Sequence, residues 1–347
     1  MMANGGKHIY CVIKTDEVRN FGSIGIGGQG DEVCTVPHRD IAAVVSDSPV
    51  ISYSSLNKED LIRQLAAHQS VVEQVMKDYT VLPIKFGTIA RDVENVKEIL
   101  KKAYTDFKSA LEKMDNKVEL DVVALWSDLN STLQEIGEKK EIKEFKQEIM
   151  RKPTDQTYED RINLGKMVKS VLDEKRNRCA TEILEVLKEE AEDFRSHPLM
   201  DDSMIMNTAF LINRSKEKEF EQKVNQLNEK YREKIDFRIV GSLPPYSFST
   251  MEVRTVEFEA VDAARKALGL DDEATMFEIK EAYRDLTHKC HPDENPDDIH
   301  AMEQFKRVSE AYKMLTYYCQ HYKYSFREAD VKNFVMVKVL ELPESEG

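Results

Sequence analysis

Cysteine is scarce and scattered in this chain of 347 residues: five in all, at positions 11, 34, 179, 290 and 319, with no CxxC pair among them. An odd, dispersed set argues against a disulfide frame or a zinc site and fits buried reduced thiols. Long apolar runs are missing as well. No window approaches about 18 uninterrupted apolar residues, so no membrane span is expected. Positive charge is in deficit, because 50 Lys and Arg against 64 Asp and Glu leave a net charge of −14. Nucleic-acid binding needs a cationic face, so nucleic acid is not expected as a partner. Met1 to Lys7 lead into strand-like sequence without a signal-peptide apolar stretch, and a cytoplasmic protein is expected. No Walker motif, HExxH or nucleophile elbow occurs, so no enzyme activity, catalytic residue or cofactor is expected.

What is present suffices for sizeable cores. A hydrophobic content of 41% is too high for a disordered chain, and the length suits two or three domains. The first third mixes the two periods. His8 to Lys14 and Ile41 to Ser46 read as strands. Leu61, Leu65, His68, Val72, Val75 and Tyr79 fall on one face of a helix. Val81 to Ile89 reads as a strand broken by Pro83 and Gly87, Val93 to Met114 as a helix, and Lys117 to Trp126 as another strand. From Ser127 to His197 the β signal disappears into Glu- and Lys-rich helical sequence, interrupted at Pro153, whose charge runs are solvated helix faces. Ser203 to Ile212, Lys216 to Tyr231, Asp236 to Val240 and Tyr246 to Val253 describe a second β-α-β-turn-β unit. Helical sequence follows from Glu257, with one last β-prone run at Asn333 to Leu340.

Three features invite site readings and lose them. Gly25, Gly27 and Gly30 match G-x-G-x-x-G, but strand-like Asp31 to Val36 follow where a dinucleotide site needs a helix N-terminus. A glycine-rich connection between two strands is expected, with no nucleotide. His68 lies on an apolar helix face without an identifiable catalytic partner, which makes it a hydrogen-bonded core histidine. His288, Cys290, His291 and Asp293 carry metal-type donors, yet no second ligand pair follows at zinc-finger spacing, and no metal is expected.

The stretch from Leu268 to Leu315 is more specific. Thr275 and Glu278 form a capping box. Ile279, Tyr283, Leu286 and Cys290 give one apolar seam, and His291-Pro292-Asp293 interrupts it. Asp297 or Asp298 can cap a second helix with Phe305, Val308, Tyr312 and Leu315 on its seam, completing an antiparallel helical hairpin. The segments Ala267-Leu268-Gly269-Leu270, Glu278 to Arg284, His291-Pro292-Asp293, Asn295-Pro296, and Phe305 followed by Glu310-Ala311-Tyr312 closely resemble a J-domain of the DnaJ type. That resemblance implies a DnaK-type chaperone as partner, engaged by His291, Pro292 and Asp293 together with the basic Lys280 and Arg284 of the preceding helix. Glu281 and Asp285 stand where such domains usually carry basic residues, and Glu294 replaces the usual lysine. Acidic side chains there reduce the positive field that would steer an acidic partner.

Outside this stretch a second likeness runs from about His8 to Phe248 and resumes at Asn333 to Val339. Its segments are Gly25 to Gly28, Ala42 to Ser46, His68, Val81 to Thr88, Tyr158 to Ile162, Asn207 to Ile212, and Gly241 to Phe248. They resemble the gas-vesicle protein F/L family (GvpF/GvpL). The resemblance implies an α+β fold class: two small ferredoxin-like α+β units joined by a helical segment, plus the all-α J-domain helical hairpin. The expected domains are an N-terminal α+β domain at 1–126, a helical connecting segment at 127–198, a C-terminal α+β domain at 199–256, an inserted J-domain at 257–325, and a tail at 326–347. In that tail residues 333–340 return as a final strand to the second sheet, because an isolated strand is not stable in water. The function implied is non-enzymatic gas-vesicle assembly in the cytoplasm, in association with gas vesicles, with the hydrophobic shell protein (GvpA-like) and other gas-vesicle accessory proteins as partners. The alternative is a general J-domain co-chaperone whose F/L-like part binds other clients.

Overall fold

The computed structural model describes residues 5–26, 31–48, 56–255, 258–290, 299–321, 323–331 and 335–340. Four strands open the chain: β1 (Gly6–Ile13), β2 (Asn20–Ser23), β3 (Glu32–His38) and β4 (Ile41–Ser48). They pair antiparallel in the order β2-β3-β4-β1. Gly22, at φ 91°, occupies the register shift between β2 and β3, a backbone position open to glycine. Past β2 the Gly25 N–H donates to the Asp31 carbonyl at 2.9 Å, and a Cβ on Gly25 would meet that same oxygen at 2.7 Å. The glycine-rich segment thus lies between two paired strands, with Gly27 and Gly30 outside the described residues.

Next come α1 (Lys58–Met76), β5 (Val81–Pro83), β6 (Ile89–Ala90, on β1), α2 (Val93–Lys102) and α3 (Tyr104–Lys113). Two expectations change here. The single helix over Val93 to Met114 is broken at Ala103, whose φ and ψ of −101° and 18° leave the helical region while its N–H still closes on Ile99. The stripe on α1 is buried only in its second half: His68, Val72 and Val75 are inside, whereas Leu61 and Leu65 are 36% and 40% exposed.

The chain continues with β7 (Lys117–Trp126), α4 (Leu129–Gly137), α5 (Lys140–Met150), α6 (Tyr158–Leu187), β8 (Asp193–Ser196), β9 (Met204–Asn213), α7 (Glu217–Lys230), β10 (Ile235–Leu243) and α8 (Tyr246–Ser249). Their sheet is antiparallel with the order β10-β7-β9-β8. Alternation along β7 turns Val118, Leu120, Val122, Ala124 and Trp126 to one face, where α4, α5, α6 and α7 cover them with Ile136, Ile142, Leu172, Ile183, Phe220 and Val224. Lys117 to Trp126 is therefore the inner strand of this sheet and not the end of a domain at 1–126. Residues 127–198 are correspondingly the helical layer of the same core, and the segment includes β8. Strand partners are chosen by long-range burial, which spacing along the chain does not encode. Tyr246 to Ser249, expected within a strand, is a helical turn.

The last elements are β11 (Met251–Thr255), α9 (Phe258–Leu268), α10 (Met276–Lys289), α11 (Ile299–His321), α12 (Glu328–Val331) and β12 (Val335–Val339). β12 pairs antiparallel with β11, from Met251↔Val339 to Thr255↔Val335. This ladder is a two-stranded sheet of its own, so the final strand does not return to the four-stranded sheet. β11 meets Ile84 instead, through a parallel bridge at Met251. Contacts among the described residues divide the chain into one compact unit within 1–71, 84–110 and 251–340 and another within 72–83 and 111–250. The fold class is α+β, with antiparallel sheets and a helical C-terminal region.

Candidate partner-binding site

The helices between β11 and β12 share one core. Val261, Ala264 and Leu268 from α9, Ile279 from α10, and Val308, Ala311, Leu315 and Tyr318 from α11 are buried together, with Phe326 and Val331 in the same core. α10 starts where local chemistry directs it. The Thr275 hydroxyl accepts the Glu278 N–H at 3.3 Å, and the Glu278 carboxylate accepts the Thr275 N–H at 2.7 Å, satisfying two helix-end donors. The Thr275 N–H and hydroxyl, both donating to the Glu278 carboxylate, hold that carboxyl below its usual value. The seam of α10 then meets α11 through Tyr283 and Tyr312, whose rings stack at 4.1 Å. Arg265 ties α9 to the next turn, donating to Asp262 and to the Leu270 carbonyl at 2.8 Å. Cys290 ends α10, buried, its N–H and thiol both directed at the Leu286 carbonyl.

Of the five residues expected to contact a chaperone, Lys280 and Arg284 are exposed, one helical turn apart on α10. Neither forms an ion pair among the described residues. Glu281 and Asp285 are exposed on the adjoining flank, so the outer surface of α10 is split into a basic stripe and an acidic one. His291, Pro292 and Asp293 lie outside the described residues, as does Glu294. Among the described residues no group of three or more His, Cys, Asp or Glu could hold a metal ion, and no helix is long and apolar enough to cross a membrane.

Three polar clusters escaped the sequence reading. His68 is buried as expected, but its partner is His8, with Nε2 of His8 2.9 Å from Nδ1 of His68. Burial lowers both, His8 to about 3 and His68 to about 4, with the neighbouring His68 adding to the shift of His8. Glu252, 4% exposed on β11, accepts from Lys85 at 2.7 Å and sits opposite Lys338 of β12. A cavity of about 390 Å³ opens beside this pair, lined also by Phe86, Thr88 and Asn95. Glu119, 2% exposed on β7, accepts the Ser247 N–H at 2.7 Å and the Ser247 hydroxyl at 2.8 Å. The available signal was a lone acid or histidine within a strand-like run, a pattern equally compatible with a solvent-facing side chain.

Comparison with known proteins gives two matches along the chain. Residues 6–250 match the family model "Gas vesicle synthesis protein GvpL/GvpF", and residues 266–324 match the DnaJ domain model. Gas vesicle protein F of Streptomyces sp. (strain CB03234) is 29% identical over 227 residues, 65% of this chain and 90% of that protein. Chaperone protein DnaJ of Prosthecochloris aestuarii is 51% identical over 51 residues, 15% of this chain and 13% of that one. The crystal structure of GvpF from Anabaena sp. PCC7120 superposes with a TM-score of 0.61 at 23% identity, covering 71% of this chain and 98% of that one, a likeness of fold.

Proposed function

We propose, from the premise that the chain belongs to the gas vesicle synthesis protein GvpL/GvpF family and carries a DnaJ domain, that this gas-vesicle-related co-chaperone is a non-enzymatic assembly factor. Its GvpF-like part binds the hydrophobic shell protein and other gas-vesicle accessory proteins. Its J-domain recruits a DnaK-type chaperone through His291, Pro292, Asp293, Lys280 and Arg284. It acts in the cytoplasm, in association with gas vesicles. The observation that carries the reading is the presence of both family matches in one chain without overlap. A shell monomer exposes adhesive apolar surface before it polymerises. Tethering a chaperone-recruiting module to the protein that holds such a monomer raises the local chaperone concentration without any new contact.

The test has two arms. Replacing His291→Gln should abolish stimulation of the cognate DnaK-type ATPase while far-UV dichroism stays unchanged, a loss on the order of a hundredfold in coupling. Pull-down from gas-vesicle-forming cells, followed by mass spectrometry, should recover shell and accessory proteins. Absence of stimulation with every DnaK-type chaperone of the same cell sinks the chaperone half. Recovery of many unrelated clients replaces the assembly role with general co-chaperone work.

A further inference from the structure

The four-stranded sheet ends on β10, and among the described residues no strand pairs with its outer edge. An edge strand presents alternate unpaired N–H and C=O groups and is blunted, where a protein guards it, by short length, proline, bulges or inward-pointing charge. The other edge of this sheet, β8, has only four residues. β10 has nine, is regular against β7 from Ile235 to Val240, and carries no proline. Its regular part stops where the register shifts between Val240 and Leu243, next to Gly241 at φ 149°.

The side chains along this edge are self-complementary. Ile235, Phe237 and Ile239 turn to the helix-covered face, and Phe237 and Ile239 are only partly buried there. Asp236, Arg238 and Val240 turn to the opposite face and are exposed. Asp236 accepts the Ser127 hydroxyl at 2.7 Å through one oxygen, and Arg238 has no ion pair among the described residues. We propose that β10 is a self-association edge, on which two copies of this chain pair antiparallel about Phe237.

Geometry selects that register. In a two-fold antiparallel pair, opposed residues must come from the same face, so the symmetry axis passes through a residue and not between two. An axis at Asp236 sets two carboxylates against each other and Lys234 against Arg238. An axis at Arg238 opposes two guanidinium groups. An axis at Phe237 places Asp236 opposite Arg238 of the second copy, twice by symmetry, and Ile235 opposite Ile239. Opposite charges directly across a ladder are favourable and like charges unfavourable, so this register is preferred over its neighbours. The half-covered Phe237 and Ile239 gain apolar contact from their copies, and the two four-stranded sheets become continuous.

An interface of one short ladder is small, so a weak dimer is expected, and sedimentation velocity of the full chain should follow it over roughly 5–200 µM. Asp236→Arg alone and Arg238→Asp alone each create like-charge oppositions and should weaken the dimer at least about tenfold, whereas the double variant restores opposite pairs and should return to within about threefold of wild type. Melting curves check that each variant folds. Hydrogen exchange on the unaltered protein provides a reading independent of any variant: amides of 235–240 should gain protection as concentration rises. A wild-type monomer throughout that range overturns the proposal, and so does a dimer indifferent to both single changes. Single variants that dissociate without rescue in the double variant overturn it equally.

Discussion

Glu119 and Asp121 lie two residues apart on the face of β7 opposite the helix layer; burial raises both carboxyls, and Asp121 adds to the cost of ionising Glu119, whereas the hydrogen bond with Glu119 lowers Asp121. Desolvation pushes Glu119 up to about 7, against the stabilising bonds from Ser247. A carboxyl whose folded value stands above its unfolded one contributes stability that is complete below about 4.5 and lost as pH rises through about 7. At 1.36 kcal/mol per pH unit the difference is on the order of 3 kcal/mol by pH 8. Glu119→Gln removes the titration while keeping an oxygen for Ser247. Its melting temperature should therefore gain on wild type between pH 5 and pH 8, and parallel melting curves across that window would refute the assignment. The buried His8–His68 pair has the opposite sign. Both values are depressed below the ordinary 6.5, so stability is lost as pH falls from about 6.5 towards 4 and 3. A bond from His68 to the Ile84 backbone opposes the shift of His68, as expected if its Nε2 carries the proton and Nδ1 accepts from His8. The histidines then add to the acid limb of the stability profile alongside hydrogen-bonded carboxylates such as Asp40, and Glu119 adds to the alkaline limb.

Elements differ in how far their causes lie along the chain. The start of α10 was readable because Thr275 and Glu278 are three residues apart and meet each other, and the α10–α11 contact because Tyr283 and Tyr312 sit on seams of regular spacing. Thr275→Ala leaves the Glu278 N–H without its cap and should cost about 1 kcal/mol of helical-domain stability. Denaturant titration followed in that region would show it, and an unchanged midpoint would mean the capping box contributes nothing. Spacing misled at α1, where Leu61 and Leu65 continue a stripe that is buried only from His68 onward. It misled again at Ala103, because a continuous apolar period does not report a single residue leaving helical dihedrals. The motif named the residues expected to face a chaperone, of which Lys280 and Arg284 are exposed on α10 and the rest lie outside the described residues. The neighbours of Glu119 and Glu252 were not, since Ser247 and Lys85 lie 128 and 167 residues away in sequence.

At the scale of the molecule, the helical module is bracketed by the two strands of one ladder. Thr255 pairs with Val335, so the chain leaves β11 and re-enters β12 at neighbouring points, and paired antiparallel residues stand about 4.5–5.5 Å apart. Such closeness of entry and exit lets a domain interrupt a hairpin without distorting its host. The host side of the ladder is secured through Met251, whose carbonyl accepts the Lys85 N–H at 2.9 Å, and through Glu252, which holds Lys85 and faces Lys338. Joining Thr255 to Val335 directly with Asn-Gly, a two-residue turn matched to hairpin twist, should therefore excise residues 256–334 and leave the ladder intact. The shortened chain should keep a cooperative melting transition and its gas-vesicle partners while losing all stimulation of a DnaK-type ATPase. Further deletion of 335–347 strips β11 of its partner strand and takes Lys338 from Glu252, and should lower the melting temperature of what remains. If excision alone prevents folding, the helical module is part of the host core and not an insertion. If deleting 335–347 leaves the melting curve of the excised chain unchanged, β12 does not complete the host, and the module is a simple C-terminal extension.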